Sequence, residues 1–206
     1  MNKKIGLFWL RDDFRVLKNN GLIEATLNHD QVVVFYLYKK LTYKYQEAQK
    51  WWLSKSLIHF RKNLNKLNIN LEIIETDSFK IFFEKLFKKN DFSFYWNKVY
   101  EPDYLKFDEY LLSNLKNKCI SHKICKGNTL NEINEIKKND GTPFKVFTPF
   151  WRTAEKYYIE KIPTKEKLIK KCLKSKNYFQ NSINPKEILP NNDWFKNFEN
   201  LWIPSE

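Results

Sequence analysis

The chain has 206 residues, 42% of them apolar, with a net charge of +13. This suits one folded domain with a tail, and it excludes a disordered protein. Phe, Tyr and Trp make up 17% of the residues and Gly only four, which also excludes a low-complexity linker protein. The lysines occur in every segment instead of forming one stripe, so solvated helix faces account for the charge better than a dedicated nucleic-acid track.

In chain order, "IGLFW" (5–9) and "QVVVFYLY" (31–38) have the length and composition of strands buried on both faces, as in a parallel sheet. "NGLIEATLNHD" between them fits a short helix. From Gln46 to Leu67, the residues Leu53, Leu57, Phe60, Leu64 and Leu67 repeat at helical spacing. "LEIIE" (71–75) reads as a third strand. "DSFKIFFEKLFKKN" reads as a helix with acidic and Ser capping at its start and lysines at its end. "FSFYWN" (92–97) gives a fourth strand, 103–117 a helix, and "ISHKICK" (120–126) a fifth strand. Regular alternation of this kind predicts an open, doubly wound, five-stranded parallel sheet of Rossmann-like class. Residues 1–162 are assigned to this α/β domain, including a turn at Gly141 to Pro143 and a helix from about Thr148. Residues 163–206 are assigned to an irregular connector.

The three cysteines (119, 125, 172) and three histidines (29, 59, 122) lack metal-ligand spacing, so no metal site is expected and a reducing cytoplasm is. The apolar run at the N-terminus is cut by Arg11, and no run of about 18 apolar residues occurs, so no membrane association is expected.

Two of the four arginines fall in "WLRDDFR", just after the first strand. In a doubly wound sheet the ligand crevice lies outside the carboxyl ends of the strands. Arg11 and Arg15 therefore either brace a ligand rim through forked pairs, such as Arg11 with Asp13, or form a structural network with no ligand. The loop lacks the glycines that a dinucleotide pyrophosphate requires, which disfavours NAD.

"WLRDDFRVLKNNGL" (9–22) resembles the opening W-F-R-x-D-L-R-x-x-D-N-x-A-L of the DNA photolyase and cryptochrome family, with Trp9, Arg11, Asp13, Arg15, Asn19 and Leu22 in register and Lys18 where the family has Asp. "AQKWWLSKSL" (48–57), "WNKVYEPDYLKFD" (96–108), "GTPFKVFTPFWR" (141–152) and "LWIPSE" (201–206) continue the resemblance in order. The resemblance implies an N-terminal α/β domain that holds an antenna chromophore, methenyltetrahydrofolate or a deazaflavin. It places FAD and the catalytic residues in a C-terminal helical domain beyond Glu206, so this chain is expected to be non-catalytic alone. The activity implied for the complete protein is that of a deoxyribodipyrimidine photo-lyase, splitting pyrimidine dimers in damaged DNA with light. The partner implied is an FAD-binding helical domain, encoded separately if it is not on the same chain. A cryptochrome-like photoreceptor fragment or a small-ligand-binding module is the alternative.

Arg11, Asp13, Asn97 and Glu101 are the antenna-site candidates, expected to line one cavity if the first and fourth strands are neighbours. Glu101 has two compatible readings, a carboxylate for a pterin-like or flavin-like edge and a helix N-terminal charge. The Asn-Glu pair of some folate-binding members is replaced here by Asp103 and Tyr104. Trp51 and Trp52 point about 100° apart on one helix and are read as core packing before antenna platform.

Overall fold

The computed structural model describes residues 5–39, 46–127, 129–132, 135–160 (side chains to 157), 169–197, 199 and 201–204. Five strands, β1 (Ile5–Leu10), β2 (Val32–Tyr38), β3 (Asn70–Glu75), β4 (Phe92–Asn97) and β5 (His122–Cys125), form one sheet in the order β3-β2-β1-β4-β5, with every pair parallel. Helices α1 (Asn20–Asn28), α2 (Glu47–Asn65), α3 (Phe79–Leu86) and α4 (Pro102–Asn117) make the crossovers. The winding order reverses between β1 and β4, which stand side by side and parallel with Trp9 level with Trp96. The elements follow the expected alternation, although β5 is confined to four residues and α3 stops at Leu86, short of the lysines.

Period-two alternation sends the strand side chains into two cores. Phe8, Leu10, Val34 and Tyr36 meet Leu22 and Ala25 of α1 and Leu57, Phe60 and Leu64 of α2. Leu7, Trp9, Phe35 and Phe94 meet Phe83 and Leu86 of α3 and Leu111 and Leu115 of α4. The strands are buried on both faces, as their continuous apolar composition requires.

The compact units are Met1–Gly127 with Leu168–Glu206, and Asn128–Lys167. The described residues from 169 onward form a strap along the outer edge of β3. Ile183 N–H donates to Ile73 O at 2.8 Å, Ile73 N–H donates to Ser182 Oγ at 3.0 Å, and Ile74 bridges Ser182. The buried Glu72 carboxylate accepts from the N–H groups of Tyr178 (2.8 Å) and Phe179 (2.7 Å). Burial raises the Glu72 carboxyl above its usual range, against the opposing effect of these two amides. A strap satisfying edge groups removes the open strand edge on which another chain would pair. The sequence reading missed this because the strap makes its bonds about 110 residues away and carries almost no strand of its own.

The second unit contains a turn, with Gly141 at φ +80 and Asp140 Oδ1 accepting from Thr142 N–H at 2.8 Å, and helix α5 (Phe147–Glu160). Pro149 lies in the first turn of α5, where the missing N–H has no helical partner to lose. Phe147 and Trp151 stack at 6.2 Å, four residues apart on one helix face.

Candidate functional site

The loop after β1 is fixed by two separate polar clusters. Arg11 is 4% exposed and donates to both carboxylate oxygens of Asp108 on α4, with Nη1 to Oδ2 at 3.2 Å. Its guanidinium carbon lies 4.1 Å from the ring centre of Trp9 and 4.9 Å from that of Tyr104, so cation–π contact adds to the forked pair. The expected pairing of Arg11 with Asp13 is therefore corrected, because Asp13 takes Arg15 instead (Nε to Oδ1 2.7 Å, Nη2 to Oδ2 3.1 Å).

Asn97, the last residue of β4, ties the second cluster together. Its amide donates to Asn19 Oδ1 at 2.9 Å and to Asp13 Oδ2 at 3.3 Å, and its oxygen accepts from Gly21 N–H at 2.8 Å. Asn19 also caps α1 by accepting from Leu22 N–H, and its amide reaches Arg15 O at 2.9 Å. Gly21 is required by this close approach, since a Cβ there would stand 2.5 Å from the Phe8 ring and 2.6 Å from Asn97 Oδ1. Lys18, the position that departs from the family pattern, adopts φ +56 within the same loop.

Of the four candidate residues, Asp13 and Asn97 meet in one cluster and Arg11 belongs to the other, and none of the four lines the groove described below. Arg11, Asp13 and Asn97 are buried side chains that pair with protein groups, whereas Glu101 sits exposed at the N-cap position of α4. Residues 40–45, in the loop after β2, lie outside the described residues.

Asp12 and Phe14 of the loop after β1 line a groove of about 940 Å³ with the first turns of α2 and the strap. Trp51 and Trp52 of α2 and Trp194 and Trp202 of the strap all line it, with Trp194 in ring contact with Trp51 and Trp202 with Trp52. Trp51 is almost fully buried, while Trp52, Trp194 and Trp202 are 44%, 39% and 60% exposed. Ring centres are 5.8 Å apart for Trp51–Trp52, 6.4 Å for Trp51–Trp194 and 6.3 Å for Trp52–Trp202. The two clusters explain the groove locally. Arg11 and Asp13 point inward and are bonded, so the intervening Asp12 and the following Phe14 are delivered to the groove. At the α2 end, Gln46 and Gln49 close a capping box, with Gln46 N–H donating to Gln49 Oε1 at 2.8 Å. The volume and the indole lining are the composition of a site for a flat aromatic ligand. The sequence reading missed it because the walls come from segments some 140 residues apart, although four of the seven tryptophans meet here.

An open parallel sheet with a reversal between β1 and β4, a loop locked across that reversal, and an aromatic groove at the strands' carboxyl ends defines an α/β module of the nucleotide-binding type. The DNA photolyase family model matches residues 6–167, and the chain belongs to that family. It is 27% identical over 208 residues to the deoxyribodipyrimidine photo-lyase of Agrobacterium fabrum (strain C58 / ATCC 33970), which covers 97% of this chain and 42% of that protein. The structure of a bacterial class III photolyase from Agrobacterium tumefaciens superposes with a TM-score of 0.81 at 26% identity, covering 99% of this chain and 42% of that one. An archaeal photolyase from Sulfolobus tokodaii (TM-score 0.68, 18% identity, 89% and 40% covered) and a cryptochrome from Synechocystis sp. PCC6803 (0.66, 16%, 91% and 40%) share the fold. The chain spans about two fifths of the length of these relatives and corresponds to their N-terminal α/β domain. Among the described residues, no helix is long and apolar enough to cross a membrane.

Proposed function

We propose that this chain is the antenna-bearing α/β half of a photolyase-type protein, and that the tryptophan groove takes the antenna. The observation that carries this reading is the groove itself, four indoles around about 940 Å³ at the carboxyl ends of the strands. Trp52 and Trp202, both substantially exposed, offer ring faces for stacking. Methenyltetrahydrofolate and a deazaflavin both present a flat conjugated ring to such faces. Such a ring, when bound, supplies absorption of near-ultraviolet or blue light. The chain's own residues stack it, orient it and shield it from water.

In this reading Arg11, Asp13 and Asn97 are the fixings that aim Asp12 and Phe14, and Glu101 is a carboxylate at the α4 N-terminus. FAD and the dimer-splitting chemistry on damaged DNA belong to the helical domain with which this half works. A cryptochrome-like photoreceptor would use the same half. Adding the helical domain and scoring dimer repair in light against a dark control separates the two. The test of the antenna reading is titration of the purified chain with methenyltetrahydrofolate and, separately, with a 5-deazaflavin, followed by tryptophan emission. Saturable quenching with one of the two compounds is expected. Quenching by neither compound overturns the reading.

A further inference from the structure

The two walls of the groove differ in how they are held. Trp51 and Trp52 belong to α2, a 19-residue helix packed on the sheet. Trp194 and Trp202 belong to the strap, which reaches α2 only after a long return. Its first tie to that helix is Ser54 Oγ donating to Pro185 O at 2.8 Å, in the core. Beyond that, the buried Phe195 packs 6.1 Å from Trp51, while Leu201, Trp202 and Ile203 are all at least 60% exposed and contribute little burial. In that stretch Lys55 of α2 forms an ion pair with Glu199. Lys55 lies one helical turn past Trp51 and Trp52, on the side where residues three and four apart are neighbours. Glu199 lies five residues after Trp194 and three before Trp202.

We propose that Lys55 and Glu199 are positioning residues, a clasp that closes the strap wall of the groove and so sets its affinity for a planar ring. The proposal rests on the antenna reading for the identity of the ring. The pair's side chains are 21% and 33% exposed, dry enough to localise the strap and wet enough for salt to reach them. Ring binding and clasp closure are then linked equilibria, and each strengthens the other by the same factor. No bond is made or broken, and the clasp acts only through the placement of Trp194 and Trp202.

The experiment uses the full chain as wild type, Lys55→Glu, and the exchanged double variant Lys55→Glu with Glu199→Lys. Methenyltetrahydrofolate is the probe, read by tryptophan quenching and by the induced circular dichroism of its absorption band. Amide hydrogen exchange over residues 192–204 is measured without probe. Lys55→Glu is expected to weaken probe binding about tenfold, to reduce the induced signal and to speed exchange over 192–204, and the exchanged pair is expected to restore all three. If Lys55→Glu folds poorly, Lys55→Met replaces it, with about a threefold loss expected. Unchanged affinity and exchange in the single variant, or no restoration by the exchanged pair, overturns the clasp. If the wild type binds no probe, the antenna reading fails by itself. Hydrogen exchange then decides the clasp: loss in the single variant and recovery in the double supports it, and a flat result refutes it.

Discussion

Arg11 and Asp108, 97 residues apart, face each other as a buried forked pair that bolts the loop after β1 to α4. Only a guanidinium can donate to both carboxylate oxygens and present a flat face to Trp9 at once. Arg11→Lys is expected to lower stability by about 2 kcal/mol in urea unfolding, and Asp108→Ala by about 3–5 kcal/mol because it strands a buried cation. An unchanged midpoint for Arg11→Lys would leave the arginine at this position unexplained.

Asn97 serves three partners, and no apolar residue satisfies Gly21 N–H, Asn19 Oδ1 and Asp13 Oδ2 together. Asn97→Leu is expected to lose about 2–3 kcal/mol by the same measurement. Gly21→Ala should lose about 1–3 kcal/mol through overpacking against Phe8. A Gly21→Ala protein as stable as wild type would mean that α1 and β4 do not approach as closely as described.

The sheet and its crossovers were legible because each strand and helix carries its own period, read within a window of a few residues. The adjacency of β1 and β4 was only a condition in the sequence, and the fold meets it, bringing Asp13 and Asn97 together. Partner choice was not legible. Arg11 has Asp12, Asp13 and Asp108 as candidate acceptors, and sequence proximity pointed to Asp13, whereas the fold brings in a residue from α4. The groove was hidden for the same reason. Trp51 and Trp52 diverge on α2 as helix geometry requires, yet both reach the groove, which Trp194 and Trp202 of the strap also line.

The strap is expected to loosen in alkali. Burial pushes the Cys172 thiol up to about 11, and burial together with Asp91 raises the Tyr178 hydroxyl. Both groups ionise more readily once unfolded, at ordinary values of 9.0 and 10.0. The Cys172 contribution is complete below about pH 9 and is lost as the pH rises through about 11, and that of Tyr178 begins to fall above about pH 10. Protection factors over 172–183, corrected for the intrinsic base-catalysed rate, should fall across that window, and Tyr178→Phe should move the onset. Protection factors that stay constant to pH 11 contradict this.

Thiol labelling should separate the cysteines. Cys119 is exposed, whereas Cys125 and Cys172 are buried. At pH 8, one equivalent of a maleimide is expected to react quickly and two more only in denaturant. Rapid labelling of Cys172 in the native chain would show that the strap is not seated against Leu67 and Asn68 as its bonds indicate.

Glu72→Gln should destabilise the strap by about 1–3 kcal/mol, because the new NH₂ faces one of the two amides the carboxylate now accepts. Faster exchange at Tyr178 and Phe179, with a raised tendency to associate through the uncovered β3 edge, is the expected signature. Unaltered exchange at both amides would mean that Glu72 does not hold the strap.

The central claim, that a planar antenna occupies the tryptophan groove and not the α4 end of the sheet, is tested most directly by absorption titration with methenyltetrahydrofolate of the wild type, Trp52→Ala and Glu101→Gln. The predicted result is one equivalent bound by the wild type and by Glu101→Gln, with at least a tenfold loss, about 1.4 kcal/mol or more, in Trp52→Ala. Binding that survives Trp52→Ala and disappears in Glu101→Gln would contradict the account and move the ring to the start of α4.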